Sequence, residues 1–396
     1  MNALSAPGDS SRLTRLLGYL EQDPANVALL HDASDLALQE GCWDEARTLV
    51  ANMLALSPLD PVSRYRKAVI LTHDGDAPAS LALTQALLDD GVQNDAVLFQ
   101  HARALILTGR HADAEPVLEG LLPRADNLPE FPYLYVRALH GAGRIKDAIQ
   151  VAAGLGAEPL AQGMLSLLYT DDDNLQEGAG LAAAVLATHP DNIDALISAG
   201  TASLAMEEVD AALPYFKHAI EQHPHSGRAW MGLGLARLSS QDFAAARAAF
   251  EQTVTLMPAH LGSWNTLAWI QILQNDHAAA DATLQAALRI NHNFGETHGT
   301  IAVLRAFEQR WDEAKQHADV AVRLQPDSFA GRFAQTLILE HRGQPDKARQ
   351  LLENVMRNFR APAGGNLGDV VRRHAIRNPA HRSNPSSASK PDKEAT

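Results

Sequence analysis

GRAWMGLGLARLSSQDFAAARAAFEQTVTLMPAH, residues 227–260, decides the fold of this 396-residue chain. Trp230, Leu233, Gly234 and Arg237 recur at helical spacing and give a first helix with one buried stripe. Ser239, Ser240, Gln241 and Asp242 break that helix and cap the next. Ala246, Phe250 and Val254 form the stripe of a second helix, which ends before Pro258, a residue that cannot continue it. Ala246 sits where the two axes cross most closely, and a large side chain there would hold them apart.

The same spacing runs along most of the chain. Gly41, Gly75, Gly109 and Gly143 each follow the last by 34 residues, as do Ala46, Ser80, Ala114 and Ala148. Pro190, Pro224, Pro258 and Pro326 share a later lattice, with His292 in the remaining slot. Gly178, Ala212, Ala246, Ala280, Ala314 and Ala348 keep a small residue on it. A helix pair of this size cannot bury its apolar face alone, so stacked neighbours must bury it for one another.

The pattern resembles the tetratricopeptide repeat. With the closing proline at position 32, that family favours an aromatic residue at 4, Leu at 7, Gly or Ala at 8, Ala at 20, an aromatic at 24 and Ala at 27. Residues 227–260 match through Trp230, Leu233, Gly234, Ala246, Phe250 and Pro258, and residues 261–294 through Trp264, Leu267, Ala268, Ala280 and Ala287. Residues 193–226 match through Gly200, Ala212, Phe216, Ala219 and Pro224. The resemblance implies an all-α fold, a right-handed α-solenoid (superhelix) of antiparallel helix pairs. About ten repeats span residues 27–362, those from 61 and 159 being degenerate.

The repeat from 129 is four residues short, ending in Ala153-Gly154-Leu155-Gly156-Ala157-Glu158-Pro159. The expected organisation is therefore a capping helix in 1–26, repeats one to four in 27–158, repeats five to ten in 159–362, a closing helix in 363–377 and a disordered tail in 378–396. Leu13, Leu16, Leu17 and Leu20 share one helical face of the first segment, and Leu367, Val370, Val371 and Ala375 share one face of the closing helix.

Composition narrows the function. Aspartate plus glutamate number 47 against 33 lysine plus arginine, a formal net charge of −14, and an acidic body repels phosphate backbones. No nucleic-acid partner is expected. Residues 361–396 hold six Lys or Arg and three Asp or Glu, so this stretch alone is basic; a tail anchored to membrane or nucleic acid would rest on these few charges. No apolar stretch reaches 18 residues, so no stable membrane insertion is expected. The single cysteine, Cys42, excludes an internal disulfide and has no basic sequence neighbour to activate it. The expectation is a cytoplasmic protein.

Motifs for chemistry are missing: the sequence has no Gly-rich phosphate loop, GxSxG elbow, HExxH helix or CxxC pair. Asp171, Asp172, Asp173 and Asn174 with Glu177 resemble the start of a calcium loop, but Leu175 takes the third ligand position and the obligatory glycine is absent. They read as helix-capping residues. The seventeen histidines are dispersed, so no metal and no cofactor is expected, and neither is enzymatic activity.

What remains is surface. In tetratricopeptide arrays the first helix of each repeat lines a concave groove, chiefly through positions 2, 5, 9, 12 and 13. Here Phe99 and Tyr133 fall at position 5, Arg103 and Arg137 at position 9, and Arg66 at position 6. Arginines in register with aromatics suit a carboxylate ligand; equally, each can pair with a carboxylate of a neighbouring helix. Farther along, the groove positions hold Met231, Leu235, Asn265, Trp269, Val303 and Phe333. Apolar groups beside a tryptophan suit an apolar anchor of a partner, with Asn265 bonding its backbone. The alternative is that they pack on adjacent first helices. Trp230 and Trp264 occupy the position-4 core slot, while Trp43 and Trp311 belong to inter-helix turns.

The expected function is a noncatalytic scaffold holding a protein or peptide partner in the groove. The alternative is an accessory subunit of an enzyme complex, such as a glycosyltransferase, polysaccharide-synthesis or secretion assembly, with catalysis on another chain. Homodimer formation through caps or groove is compatible with either.

Overall fold

The computed structural model describes residues 10–358, apart from 129. The expected closing helix in 363–377 and tail from 378 lie outside the described residues. Among the described residues the chain has twenty-one α-helices, one short 3-10 segment and no strand. It is an all-α solenoid of antiparallel helix pairs.

The chain divides into two compact units, Met1–Asp173 and Asn174–Thr396. In the first, α1 (Ser10–Gln22) is followed by α2 (Val27–Glu40) and α3 (Trp43–Leu56), then α4 (Pro61–His73) and α5 (Ala77–Asp89). Next come α6 (Asp95–Leu107) and α7 (His111–Leu121), α8 (Phe131–Gly141) and α9 (Ile145–Gly154), and α10 (Pro159–Asp171). The second contains α11 (Leu175–Leu186), α12 (Ile193–Ala205) and α13 (Val209–Gln222), then α14 (Gly227–Ser239) and α15 (Phe243–Leu256). After these come α16 (Leu261–Leu273) and α17 (His277–Ile290), α18 (Gly295–Phe307) and α19 (Trp311–Leu324), and α20 (Phe329–His341) and α21 (Pro345–Asn358). The four-residue shortfall is taken up by α8 and α9, only 11 and 10 residues long. The division between the compact units falls later, at position 15 of the repeat from 159.

Position 15 carries the backbone logic of the repeat. Every first helix from α2 to α20 ends in a residue with left-handed φ, between 59° and 84°. The amide after it bonds five residues back, as in Arg110 N to Leu105 O (2.8 Å) and Asp242 N to Arg237 O (2.9 Å), which satisfies carbonyls the helix end leaves open. Gly41, Gly75, Gly109, Gly143 and Gly343 meet this demand without a Cβ penalty. Asp173, Glu207, Gln241, Asn275 and Gln309 meet it under strain.

Close approach of the two helices is set at positions 8 and 20. Ala46, Ala114, Ala148, Ala212, Ala246, Ala280, Ala314 and Ala348 are all fully buried. Where position 24 is phenylalanine, position 8 must be glycine. A Cβ on Gly200 would lie 2.7 Å from the Phe216 ring, and one on Gly234 would lie 2.8 Å from the Phe250 ring. Phe216 is also capped from the next repeat, where a Cβ on Gly232 would approach it to 2.1 Å. With Phe216 0% and Phe250 1% exposed, the rings have no room to retreat.

Two further contacts hold several of the repeats in register with their neighbours. Position 4 donates to the chain ending the previous repeat: Trp230 Nε1 to Pro224 O (2.9 Å), Trp264 Nε1 to Pro258 O (2.9 Å) and Arg332 Nε to Pro326 O (3.1 Å). Trp230 and Trp264 are thus half-buried seam residues with a polar duty. Position 17 lies on position 13 of the following repeat. The ring of Trp43 stacks on His73 at 3.7 Å between centroids, and that of Trp311 on His341 at 3.9 Å. His111 does the same over Gly141, where a Cβ would come within 2.1 Å of the ring.

Gln241→Gly and Asn275→Gly should each raise the free energy of unfolding, by about 1 kcal/mol, because they remove left-handed strain at capped positions. Gly109→Ala should lower it. Urea titrations followed by circular dichroism measure all three. Gly234→Ala should destabilise by about 1–3 kcal/mol through overpacking. Adding Phe250→Leu should restore most of the loss, because Ala268 and the fully buried Leu284 already form that pairing in the next repeat.

Candidate functional site

In the first unit the predicted residues lie on α4, α6 and α8. Arg66 is only 8% exposed and points back into α2: Nη1 donates to Ser34 Oγ (2.7 Å) and faces His31 Nδ1 (3.1 Å), and Nη2 pairs with Asp35 (3.0 Å). The expectation that it serves as a groove cation is corrected. Ser34 offers a small polar pocket one repeat away, and a guanidinium buried there must spend its donors on the fold. Arg103 spans the Phe99 ring, 5.5 Å from its centroid, and pairs with Glu130 of the next repeat. Burial pushes the Arg103 guanidinium below its ordinary value, and the nearby Tyr65 partly offsets this. Tyr133 donates its hydroxyl to Glu158 at 2.5 Å. Arg137 stands exposed on α8. Neighbour pairing thus accounts for Arg66 and Arg103; Tyr133 is bonded to Glu158, Phe99 lies half-buried beneath Arg103, and Arg137 is the exposed side chain of the set.

In the second unit the residues gather. Trp269, at position 9 of α16, lies 6.0 Å from Phe333 and 6.4 Å from Phe329 on α20, with the two phenylalanines 6.1 Å apart and nearly parallel. The span across α18 is opened by Gly299, which holds position 5 there. A Cβ on Gly299 would lie 2.3 Å from Gly331 N, so the backbones of α18 and α20 touch and no side chain separates Trp269 from Phe333. All three rings are half-buried. Val303 is wholly buried, in a cluster against which Trp269, Phe333 and Leu337 pack. Its assignment to the groove surface is corrected: the close approach of α18 and α20 turns position 9 of α18 into core.

Asn265 is corrected too. It is 4% exposed and donates through Nδ2 to Leu261 O (2.9 Å) and Thr297 Oγ1 (3.0 Å), tying α16 to α18 rather than facing a ligand. Met231 and Leu235 are half-buried beside the Ala246, Phe250 and Leu267 cluster. Phe329 was missed from the sequence because position 1 is outside the expected groove set, although it stands one helical turn before Phe333. Glu296 on α18 anchors this end of α20, accepting from Ser328 Oγ (2.6 Å) and Ala330 N (2.9 Å). Burial raises its carboxyl above the usual range, against the pull of those donors.

The acidic turn suggested by Asp171 to Asn174 has other duties. Asp171 Oδ2 lies 2.7 Å from His140 Nε2, Asp173 takes the left-handed position, and Asn174 makes no side-chain cap bond. Capping through Asn174 is therefore corrected; backbone geometry explains the turn. Among the described residues no three His, Cys, Asp or Glu side chains gather as a metal cluster, and no helix is long and apolar enough to cross a membrane. Cys42 has its thiol pushed up by burial, with Glu45 and Glu40 adding to the effect.

Comparison with known proteins agrees with this architecture. Residues 197–260 and 237–304 match tetratricopeptide repeat family profiles. The chain is a tetratricopeptide repeat protein. Among solved structures, the APC/C hetero-tetramer Cut9–Hcn1 is similar over 92% of this chain and 81% of that chain, at 13% identity and a TM-score of 0.61. The human IFIT1 dimer with m7Gppp-AAAA is similar over 90% of this chain and 96% of that one, at 15% identity and a TM-score of 0.52. At such identities the likeness is one of fold. No curated protein matches the chain.

Burial holds His101, His111, His260 and His317 below the ordinary imidazole value. The folded chain therefore binds fewer protons at these sites than the unfolded chain. Their contribution is complete above about pH 6.5 and is lost as pH falls below it. Glu296, shifted upward, works in the opposite sense, and the lowered carboxyls of Asp60, Asp74 and Asp276 act only in a more acidic window. Urea midpoints should fall between pH 7 and 5.5, and His101→Gln should flatten that fall.

Proposed function

We propose that the chain is a noncatalytic scaffold that holds an extended segment of a protein partner against its first helices, with the main anchor site at Trp269, Phe329 and Phe333. A tetratricopeptide solenoid is a protein-interaction architecture in general; the particular site rests on one observation. Three half-buried aromatic rings from two repeats come together because Gly299 puts no side chain between them. Aromatic groups of this kind dominate binding energy where they receive an apolar side chain and exclude water. The rings are already packed against one another, so little side-chain freedom is lost on binding.

Phe99, Tyr133 and Arg137 in the first unit supply a second, more polar contact for the same partner class. The acidic balance of the chain disfavours nucleic acid as that partner. An accessory role in an enzyme complex is the same reading with the partner an enzyme subunit.

The test is affinity capture from source-cell lysate read by mass spectrometry, comparing wild type with Trp269→Ala, Phe333→Ala and Arg137→Glu, each checked for unchanged helicity. Partners retained by wild type should drop at least tenfold with Trp269→Ala and Phe333→Ala, which corresponds to about 1.4 kcal/mol or more. Partners unchanged in every variant would move the site off the first-helix face.

A further inference from the structure

The repeat from 295 departs from its neighbours at two positions, and the departures meet. Position 4 is Trp230, Trp264 and Arg332 in nearby repeats, each donating an N–H to a backbone carbonyl six residues earlier. Here it is His298, whose Nε2 lies 2.9 Å from His292 O. A carbonyl can only accept, so Nε2 carries a proton, and the single-proton form of the ring has its lone pair at Nδ1. That nitrogen lies 3.0 Å from Nδ1 of His317 on α19, with ring centroids 5.3 Å apart. Position 23, which His317 occupies, is Leu49, Leu83, Leu181 and Leu351 in other repeats and histidine only here.

Two imidazole nitrogens face each other at 3.0 Å, and one ring is oriented by a backbone carbonyl, the kind of outer partner that orients histidine toward a metal. Four-coordinate zinc with Zn–N bonds of about 2.0–2.1 Å sets two ligand nitrogens roughly 3.3 Å apart, so the pair must open by a few tenths of an ångström and the rings must turn to bring both lone pairs onto the ion. Burial and the facing His298 keep His317 below its ordinary value, and the neutral ring is the form that binds metal. Arg305 acts against positive charge at His317, while Glu313 and Asp281 act for it. Arg305 is answered by Asp281, Glu308 and Glu313, and Arg310 shares Glu308 and Glu313, which makes three carboxylates against two guanidiniums.

We propose that His298 and His317 chelate a borderline divalent cation, of which Zn²⁺ is the probe of choice, through their two Nδ1 atoms. No third protein ligand is gathered among the described residues, so water completes the coordination. The ion would bridge α18 and α19 in place of the N–H···N bond and lock the helix pair whose backbone touches α20. The site is independent of the aromatic anchor and does not rest on the proposed function.

The experiment is calorimetric titration of ZnCl₂ into the full chain, free of any histidine tag, with thermal unfolding in parallel. The variants are chosen from the repeat itself. His317→Leu installs the residue found at that position in four other repeats, and His298→Trp installs the position-4 residue that keeps the carbonyl bond. Wild type should bind one ion per chain at pH 7.4, bind at least tenfold more weakly at pH 5.5, and unfold at a higher temperature with zinc present. Either variant should fold and lose that binding and that shift. Absence of saturable binding by wild type would show a hydrogen-bonded pair only. Binding that persists in both variants would place the ion elsewhere. Either result overturns the proposal.

Discussion

Close approach of the two helices in each repeat is the constraint on which the rest depends. A pair of 13- or 14-residue helices has too little surface to enclose a core, so its apolar stripes are useful only when the axes come near enough to interlock and the next repeat covers what remains. Fully buried alanines at position 20 permit that approach, and glycine at position 8 extends it where phenylalanine fills position 24. Once the spacing is set, the register contacts follow: the position-4 donor reaches the preceding carbonyl, and the position-17 ring falls on position 13 of the next repeat. Both recur where the repeat supplies a donor or a ring at that position.

The same constraint creates the candidate site. Around Gly299 the approach between successive first helices tightens until backbones touch, so side chains at position 9 of α16 and position 5 of α20 meet across the helix between them. In the first unit Tyr65, Phe99 and Tyr133 hold position 5, and Arg66 and Arg103 pair with Asp35 and Glu130 of neighbouring repeats. An acidic chain with few cations tends to consume them internally. Arg66 and Arg103, read as groove cations, therefore have their partners inside the fold.

Much of this was legible beforehand. The 34-residue lattice, the helix pair, the small residue at the crossing and the short repeat from 129 all follow from side-chain size and helical periodicity, which act locally. The glycines at 41, 75, 109 and 143 marked the left-handed position, although Glu207, Gln241, Asn275 and Gln309 fill it without announcing it. Trp269 was recognisable as an aromatic out of place. Its partners were less so: Phe333 was placed on the same surface, but Phe329 fell outside the expected positions, and Val303 and Asn265 were placed on a surface they do not reach. Their burial depends on the separation of α16, α18 and α20, a quantity with no local signature.

The sequence by itself determined the repeat, the identity of each helix and the absence of recognisable catalytic motifs, because each rests on contacts within about one 34-residue period. Tertiary structure decided which polar side chains were consumed by the fold and which rings met. It also decided that two histidines nineteen residues apart would face each other at 3.0 Å. Such pairings are fixed by the distance and rotation between helices, which depend on the packing of several repeats together.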